Sequence, residues 1–320
     1  MVRLLGVCLL GGMLLGAAGL LLGDLSRTTV APFSVLGRSA ASVTGAVHED
    51  LDAKPAPLAP VGAVRESLTV PHPSFAGLGA EVDQLLQEAG GAGGITLIEL
   101  GGRDPRSWSL NGDQTFVAAS TYKQPLLMMD AELVAGGRAG PDDSLCYEDD
   151  DWEDGYFGDY VDGACYSRSE LERRVGEYSD NTAAHILVRY DGGPDALNAY
   201  ASAHGATESD FYVANTTTSD DLARLWANEA AGQAGGTAAQ KYLYPLLTDT
   251  DFEDGIPAGV PSGVTVVHKV GFLDSDLNDS ALVTSGPAGA YALAICTDGP
   301  ASWSLLASIS QAVWTFEATR

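Results

Sequence analysis

Segments of strand character stand at both ends of the apolar-rich body of this chain, and a long helical block separates them. Near the start, Leu78 to Ala89 carries Leu78, Val82, Leu85 and Leu86 at helical spacing, and Ile95 to Leu100 reads as a strand. Ser107–Leu110 and Phe116–Val117 flank Asn111-Gly112, a pair that predicts a hairpin. From Ser120 to about Leu247 the apolar spacing is helical. Strand patterns return at Val264–Val267, Ala281–Thr284 and Tyr291–Cys296. A closing helix is expected over Ser302–Glu317, with Leu305, Ile309 and Val313 on one side. The simplest way to bury all these faces joins both ends into one antiparallel sheet flanked by helices. The helical block, about 118–260, then forms an inserted all-helical lobe, giving an α/β (α+β) fold of two lobes. The cleft between such lobes is the first place to look for a site.

The body is expected to begin near Pro71 and run to residue 320. Residues 1–23 read as a targeting segment: Arg3 gives a positive end, and Leu4 to Leu22 carries no charge. Nineteen apolar residues suffice to span a bilayer, and no small-x-small cleavage site follows at once. An uncleaved membrane anchor through residues 4–22 is therefore favoured over a cleaved signal. Either choice leaves the positive end inside and places the body in an extracytoplasmic location, anchored or secreted. Residues 24–70 lack periodicity, and Ala53 to Pro60 alternates Ala and Pro in the manner of a linker.

The formal net charge of −26 excludes a nucleic-acid partner, since nothing would neutralise phosphates. In an oxidising compartment Cys146 and Cys165 form the natural disulfide, closing 18 residues of acidic chain. Cys296 lies in a strand pattern and reads as an inert core thiol. No histidine joins the cysteines at zinc spacing, so no metal and no cofactor are expected. Glu148 to Asp162 holds eight carboxylates in fifteen residues. It misses the calcium-loop pattern, because Asp154 stands where the turn glycine belongs when Asp149 is counted first. A solvated rim loop is the preferred reading.

Three short motifs carry the chemistry: Ser120-Thr121-Tyr122-Lys123, Ser179-Asp180-Asn181 and Lys269-Val270-Gly271. Residues three apart share a helix face, so the Lys123 amine reaches the Ser120 hydroxyl. A serine at a helix start also has backbone N–H groups nearby that favour an oxyanion. Burial lowers a lysine pKa, which is what a lysine needs in order to take a proton. The chain has only four lysines, and two of them fall in these motifs. Arginine could not replace Lys123, because it does not deprotonate.

In this order the motifs resemble the Ser-x-x-Lys, Ser-Asp-Asn and Lys-Thr-Gly set of class A beta-lactamases and penicillin-binding serine hydrolases. Ser179 to Ala184 is similar to the start of the family's central helix, and Gly192-Gly193-Pro194 and Thr216-Thr217-Thr218 look like further landmarks. The resemblance covers residues 71–320 and implies the two-lobed fold. It implies that Ser120 is the nucleophile, that Lys123 is its base, and that Ser179 relays a proton to the leaving nitrogen. Asn181 would hold the substrate amide and Lys269 a substrate carboxylate. Gly271 completes the third motif. The N–H groups of Ser120 and Phe272 would form the oxyanion hole.

Two departures stand out. Only 24 residues, Gly192 to Asn215, separate the later landmarks, and no Glu-x-x-x-Asn element lies among them. Glu208 and Asp210 are the carboxylates near this span, with Glu208 the possible deacylation base. Val270 stands where the family has a hydroxyl. His268 could offer a replacement donor, although a strand-edge histidine is the plainer reading. The expected activity is acyl transfer from a small-molecule beta-lactam or a peptidoglycan-derived amide. The alternatives are a D-alanyl peptidase or esterase, a penicilloyl-binding sensor that acylates without turnover, and a structural cell-wall protein with an idle site, against which the retained lysines argue.

Overall fold

The computed structural model describes residues 74–320, so the expected anchor and linker lie outside the described residues. In chain order the helices and strands are α1 (Phe75–Ala89), β1 (Ala92–Glu99), β2 (Ser107–Leu110), β3 (Phe116–Val117), α2 (Lys123–Ala135), β4 (Ser144–Cys146), β5 (Cys165–Ser167), α3 (Arg168–Tyr178), α4 (Asn181–Tyr190), α5 (Gly193–Ala203), β6 (Thr216–Thr217), α6 (Ser219–Ala230), α7 (Gly236–Leu243), β7 (Val266–Leu273), β8 (Asp276–Val283), β9 (Tyr291–Asp298) and α8 (Trp303–Glu317). Five strands form an antiparallel sheet in the order β2-β1-β9-β8-β7. The two ends of the chain thus share one sheet, with β1 paired to β9 from Ala92↔Asp298 to Glu99↔Tyr291.

Side chains alternate across this sheet, and the alternation divides the core. Ile95, Leu97, Leu293 and Ile295 face α1 and α8, packing with Leu78, Val82, Leu306, Ile309 and Val313. Ala292, Ala294 and Cys296 face the opposite way, into the core of the helical lobe. The central strand β9 is therefore covered on both sides, which explains its unbroken apolar run. Each large aliphatic residue so covered contributes roughly 1.5–3 kcal/mol. Local caps fix the flanking helices. Ser74 Oγ accepts from the Gly77 N–H at 3.2 Å, and Ser302 Oγ accepts from the Leu305 N–H at 3.2 Å.

The hairpin expected at Asn111-Gly112 does not form. The chain turns there, with Asn111 at φ 50°, but β2 pairs with β1 and β3 pairs with β6. Asn111 Nδ2 donates to the Gly93 carbonyl at 3.0 Å, and the Asp220 N–H donates to the Gly112 carbonyl at 3.0 Å. Contacts with distant chain segments thus decide the strand partners. The strands expected at Val264–Val267 and Ala281–Thr284 prove to be parts of a longer hairpin, β7 and β8, that contains the whole third motif.

Cys146 and Cys165 are joined by a disulfide, at paired positions of β4 and β5. The acidic loop between them is more than a solvated rim. Glu148 and Asp151 bind Arg189, Asp159 binds Arg174, and Asp151 is buried. Cys296 is buried in β9, and burial pushes its thiol well above the ordinary range.

Candidate active site

The first motif folds as a tight 3-10 turn, Ala119–Tyr122, that leads directly into α2. Side chains at positions i and i+3 eclipse one another in such a turn, so Lys123 stands over Ser120. Its Nζ lies 3.0 Å from Ser120 Oγ, 2.6 Å from the Ser179 carbonyl oxygen and 2.6 Å from Asn181 Oδ1. The latter two oxygens can only accept, and they use both hydrogens of a neutral amine. The nitrogen lone pair is then left for the Ser120 hydroxyl, which is the arrangement of a base beside its nucleophile. Lys123 is fully buried, and that burial brings its pKa down to about 7 against the opposing charges of Asp180 and Glu153.

The second motif closes α3 and opens α4. Ser179 caps α3 in the left-handed region at φ 58°. Asp180 caps α4, accepting from the Ala183 N–H at 2.8 Å, and it also accepts from Tyr160 Oη at 2.6 Å and the Phe157 N–H at 3.0 Å. The buried aspartate thereby ties the acidic loop to the motif. Lys269, on β7, donates to Ser179 Oγ at 2.9 Å and to the Val270 carbonyl at 3.0 Å. Burial, followed by repulsion from Lys123, pushes Lys269 well below the usual lysine range.

Packing holds the Ser120 turn from two sides. Asn278 on β8 donates from Nδ2 to the Val117 carbonyl at 2.7 Å, and Asn215 Nδ2 donates to the Ala119 carbonyl at 3.2 Å. Gly271 lies against the turn so closely that a Cβ would come 2.7 Å from the Ala118 oxygen and 2.9 Å from the Ser120 nitrogen. Ala119, Ser179, Tyr212 and Asn215 all have positive φ, and all four line hollows that also contain Ser120. Such conformations cost about 1–3 kcal/mol each and cluster where surrounding structure imposes them.

Two adjoining hollows open on Ser120. One, of about 380 Å³, is lined by Tyr122, Glu153, Asn181, His185, Tyr212 and Phe272 among others. The other, of about 340 Å³, includes Asp154, Tyr156, Ser179, Phe252 and again Phe272. The sequence pattern of the beta-lactamase enzyme family matches residues 77–316. The chain belongs to that family.

Individual proteins are similar to this chain as well. Beta-lactamase CTX-M-8 of Citrobacter amalonaticus is 32% identical over 130 residues, which are 36% of this chain and 45% of that protein. The match thus spans less than half of that relative's length. Among solved structures, PBP-A superposes with TM-score 0.67 at 23% identity, covering 74% of this chain and 95% of its own. A PBP-A mutant solved as an acyl-enzyme complex with penicillin G gives TM-score 0.70 at 24% identity, covering 77% and 97%. A beta-lactamase from Xanthomonas campestris pv. campestris gives 0.68 at 22%, covering 76% and 98%. These structures share the fold of this beta-lactamase family member.

The structure brings Ser120, Lys123, Ser179, Asn181 and Lys269 into one hydrogen-bonded group, with Gly271 and Phe272 beside it. It leaves Glu208 out. That side chain is exposed after α5, its N–H donates to Asp221 Oδ2 at 2.8 Å, and it lines neither hollow. Four residues before Asn215, where a Glu-x-x-x-Asn element would carry its carboxylate, stands the fully buried Phe211. His268 supplies no substitute for the hydroxyl missing at Val270. It is a buried residue of edge strand β7, clasped by Asp279 Oδ1 at 2.9 Å and Glu253 Oε1 at 3.1 Å, and it lines neither hollow. Sequence reasoning missed Glu153, Asn278 and the capping role of Asp180. Only the capping role had a signal, an Asp immediately before a helical pattern.

Proposed function

We propose that this chain is an exported serine hydrolase that forms an acyl-enzyme on Ser120 and hydrolyses a beta-lactam or a related amide. The observation that carries this reading is the fully buried Lys123 amine, 3.0 Å from Ser120 Oγ, with two obligate acceptors occupying its hydrogens. The neutral amine takes the hydroxyl proton as Oγ attacks the carbonyl carbon. Ser179 Oγ lies 3.4 Å from Lys123 Nζ and 2.9 Å from Lys269 Nζ, and it passes a proton to the leaving nitrogen. The Ser120 and Phe272 N–H groups stabilise the oxyanion. Lys269 faces the substrate carboxylate. Residues 4–22 anchor the chain to a membrane, with the body outside the cytoplasm.

Phe211 and Val270 favour a second reading, in which the serine is acylated by penicillin and released slowly, as in a sensor. A D-alanyl peptidase or esterase would use the same groups. The full-length chain and its Ser120→Ala variant, incubated with a chromogenic cephalosporin, separate the three when colour and intact mass are followed together. Repeated colour release supports hydrolysis. A persistent adduct absent from Ser120→Ala supports the sensor. Cleavage of a D-alanyl ester without any lactam adduct supports the peptidase. Colour release that survives in Ser120→Ala overturns the proposal.

A further inference from the structure

We infer that Glu153, steadied by His185, is the general base that activates water to release the acyl group from Ser120. This inference rests on the acyl-enzyme reading above. Among the described residues, Glu153 is the carboxylate that lines the 380 Å³ hollow with Ser120, and His185 lines it too. Glu153 Oε1 accepts from Asn181 Nδ2 at 3.0 Å, while Asn181 Oδ1 accepts from Lys123 Nζ at 2.6 Å. The carboxylate is therefore linked through one amide to the base that serves the nucleophile.

His185 is clasped by the acidic loop. Its Nδ1 lies 3.1 Å from the Asp151 carbonyl oxygen, which can only accept, and its Nε2 lies 3.0 Å from Glu153 Oε2. The imidazole thus holds one carboxylate oxygen in place. The Glu153 side chain remains 51% exposed and keeps lone pairs for a water molecule. On the same wall stands Asn215, whose Nδ2 donates to the Ala119 carbonyl at 3.2 Å beside Ser120.

One O–H bond of the water breaks and its proton passes to Glu153, while the water oxygen bonds to the acyl carbon. The C–Oγ bond then breaks, its electron pair goes to Oγ, and Oγ receives the proton that Glu153 took from the water, passed through solvent and the neutral Lys123 amine. Glu153 is again a carboxylate, Lys123 again a neutral amine, and the product leaves as a carboxylic acid.

The test isolates the two half-reactions. Full-length wild type, Glu153→Gln and Glu208→Gln are acylated with benzylpenicillin, excess drug is removed, and loss of the adduct is timed by intact mass. Acylation rates and melting temperatures are measured in parallel. Removing a general base is expected to slow adduct loss about 100-fold in Glu153→Gln, with acylation within several-fold of wild type. Glu208→Gln should match wild type. Adduct loss unchanged in Glu153→Gln overturns the inference, as does an equal slowing of acylation and release. A wild-type adduct that persists for hours overturns it while leaving the acylation reading intact. No adduct on wild type overturns both.

Discussion

Lys269 Nζ donates to Ser179 Oγ at 2.9 Å, so an edge strand of the sheet and the helical lobe meet at one hydroxyl. The same oxygen lies 3.4 Å from Lys123 Nζ, which makes Ser179 the group standing between the two buried amines. Ser179→Ala removes that path without adding bulk. Acylation by a lactam should fall about 100-fold, the scale of a lost proton-transfer group, with little change in melting temperature. Stopped-flow acylation rates check this. A variant acylated as fast as wild type would show that protons reach the leaving nitrogen by another route.

In the proposed mechanism Lys123 acts as a neutral amine, and its pKa is brought down to about 7 by burial. The rate of acylation should therefore rise with pH through about 7 and level off above, because protonation below that value removes the base. Glu153 and Asp180 oppose the effect of burial, so Glu153→Gln should move the midpoint to lower pH. Lys123→Arg should abolish acylation at every pH, since arginine does not deprotonate. A pH profile of kcat/KM, which reports the free enzyme, provides the measurement.

The parts of the site legible in the sequence are those in which chemistry fixes residue types at short spacing. Ser120 and Lys123 occupy one turn, and Ser179 and Asn181 flank one helix cap, so local geometry carries their message. Glu153 gave no such signal. It reaches the hollow because a disulfide-closed loop is held by Asp180 and Arg189, and those contacts span tens of residues. The hairpin expected at Asn111-Gly112 failed for the same reason. A turn pair specifies a reversal of the chain, whereas the choice of partner strand belongs to the whole sheet. Alternation in β7 separates Lys269 from its neighbour His268, and no pattern in the sequence announced the carboxylates that await the histidine.

Those carboxylates make a stability prediction. Burial alone would lower the pKa of His268, but Asp279 and Glu253 outweigh it and raise it to about 9, against 6.5 for the unperturbed group. The folded state thus holds the proton more tightly than the unfolded chain. The resulting stabilisation is complete below about pH 6.5 and fades as pH climbs to about 9. A shift of this size corresponds to ~3 kcal/mol. Thermal unfolding of wild type should weaken steadily from pH 7 to pH 9.5. His268→Gln should be less stable at pH 6.5, because Asp279 loses its cationic partner, and its melting temperature should vary less over the same range. Parallel slopes for the two proteins would rule out His268 as the source.

Gly271 tests whether the third motif is there for its charge or for its thinness. A Cβ at this position would meet three backbone atoms of the turn that carries Ser120, the Ala118 oxygen at 2.7 Å, the Thr121 nitrogen at 2.8 Å and the Ser120 nitrogen at 2.9 Å. Backbone atoms cannot swing aside as a side-chain tip can, so Gly271→Ala must push β7 and the turn apart by some tenths of an ångström. Overpacking of this kind costs roughly 1–3 kcal/mol. The catalytic loss should exceed what that cost alone suggests. The moved atoms include the Ser120 N–H, and β7 also carries Phe272, the other donor expected at the oxyanion. Losing one well-aimed donor costs about 100-fold or more in rate. Acylation of Gly271→Ala should therefore drop by that order, while circular dichroism shows a folded protein with a lowered melting temperature. If acylation stays within several-fold of wild type, the donors are not set by this contact, and the close approach of β7 serves packing alone.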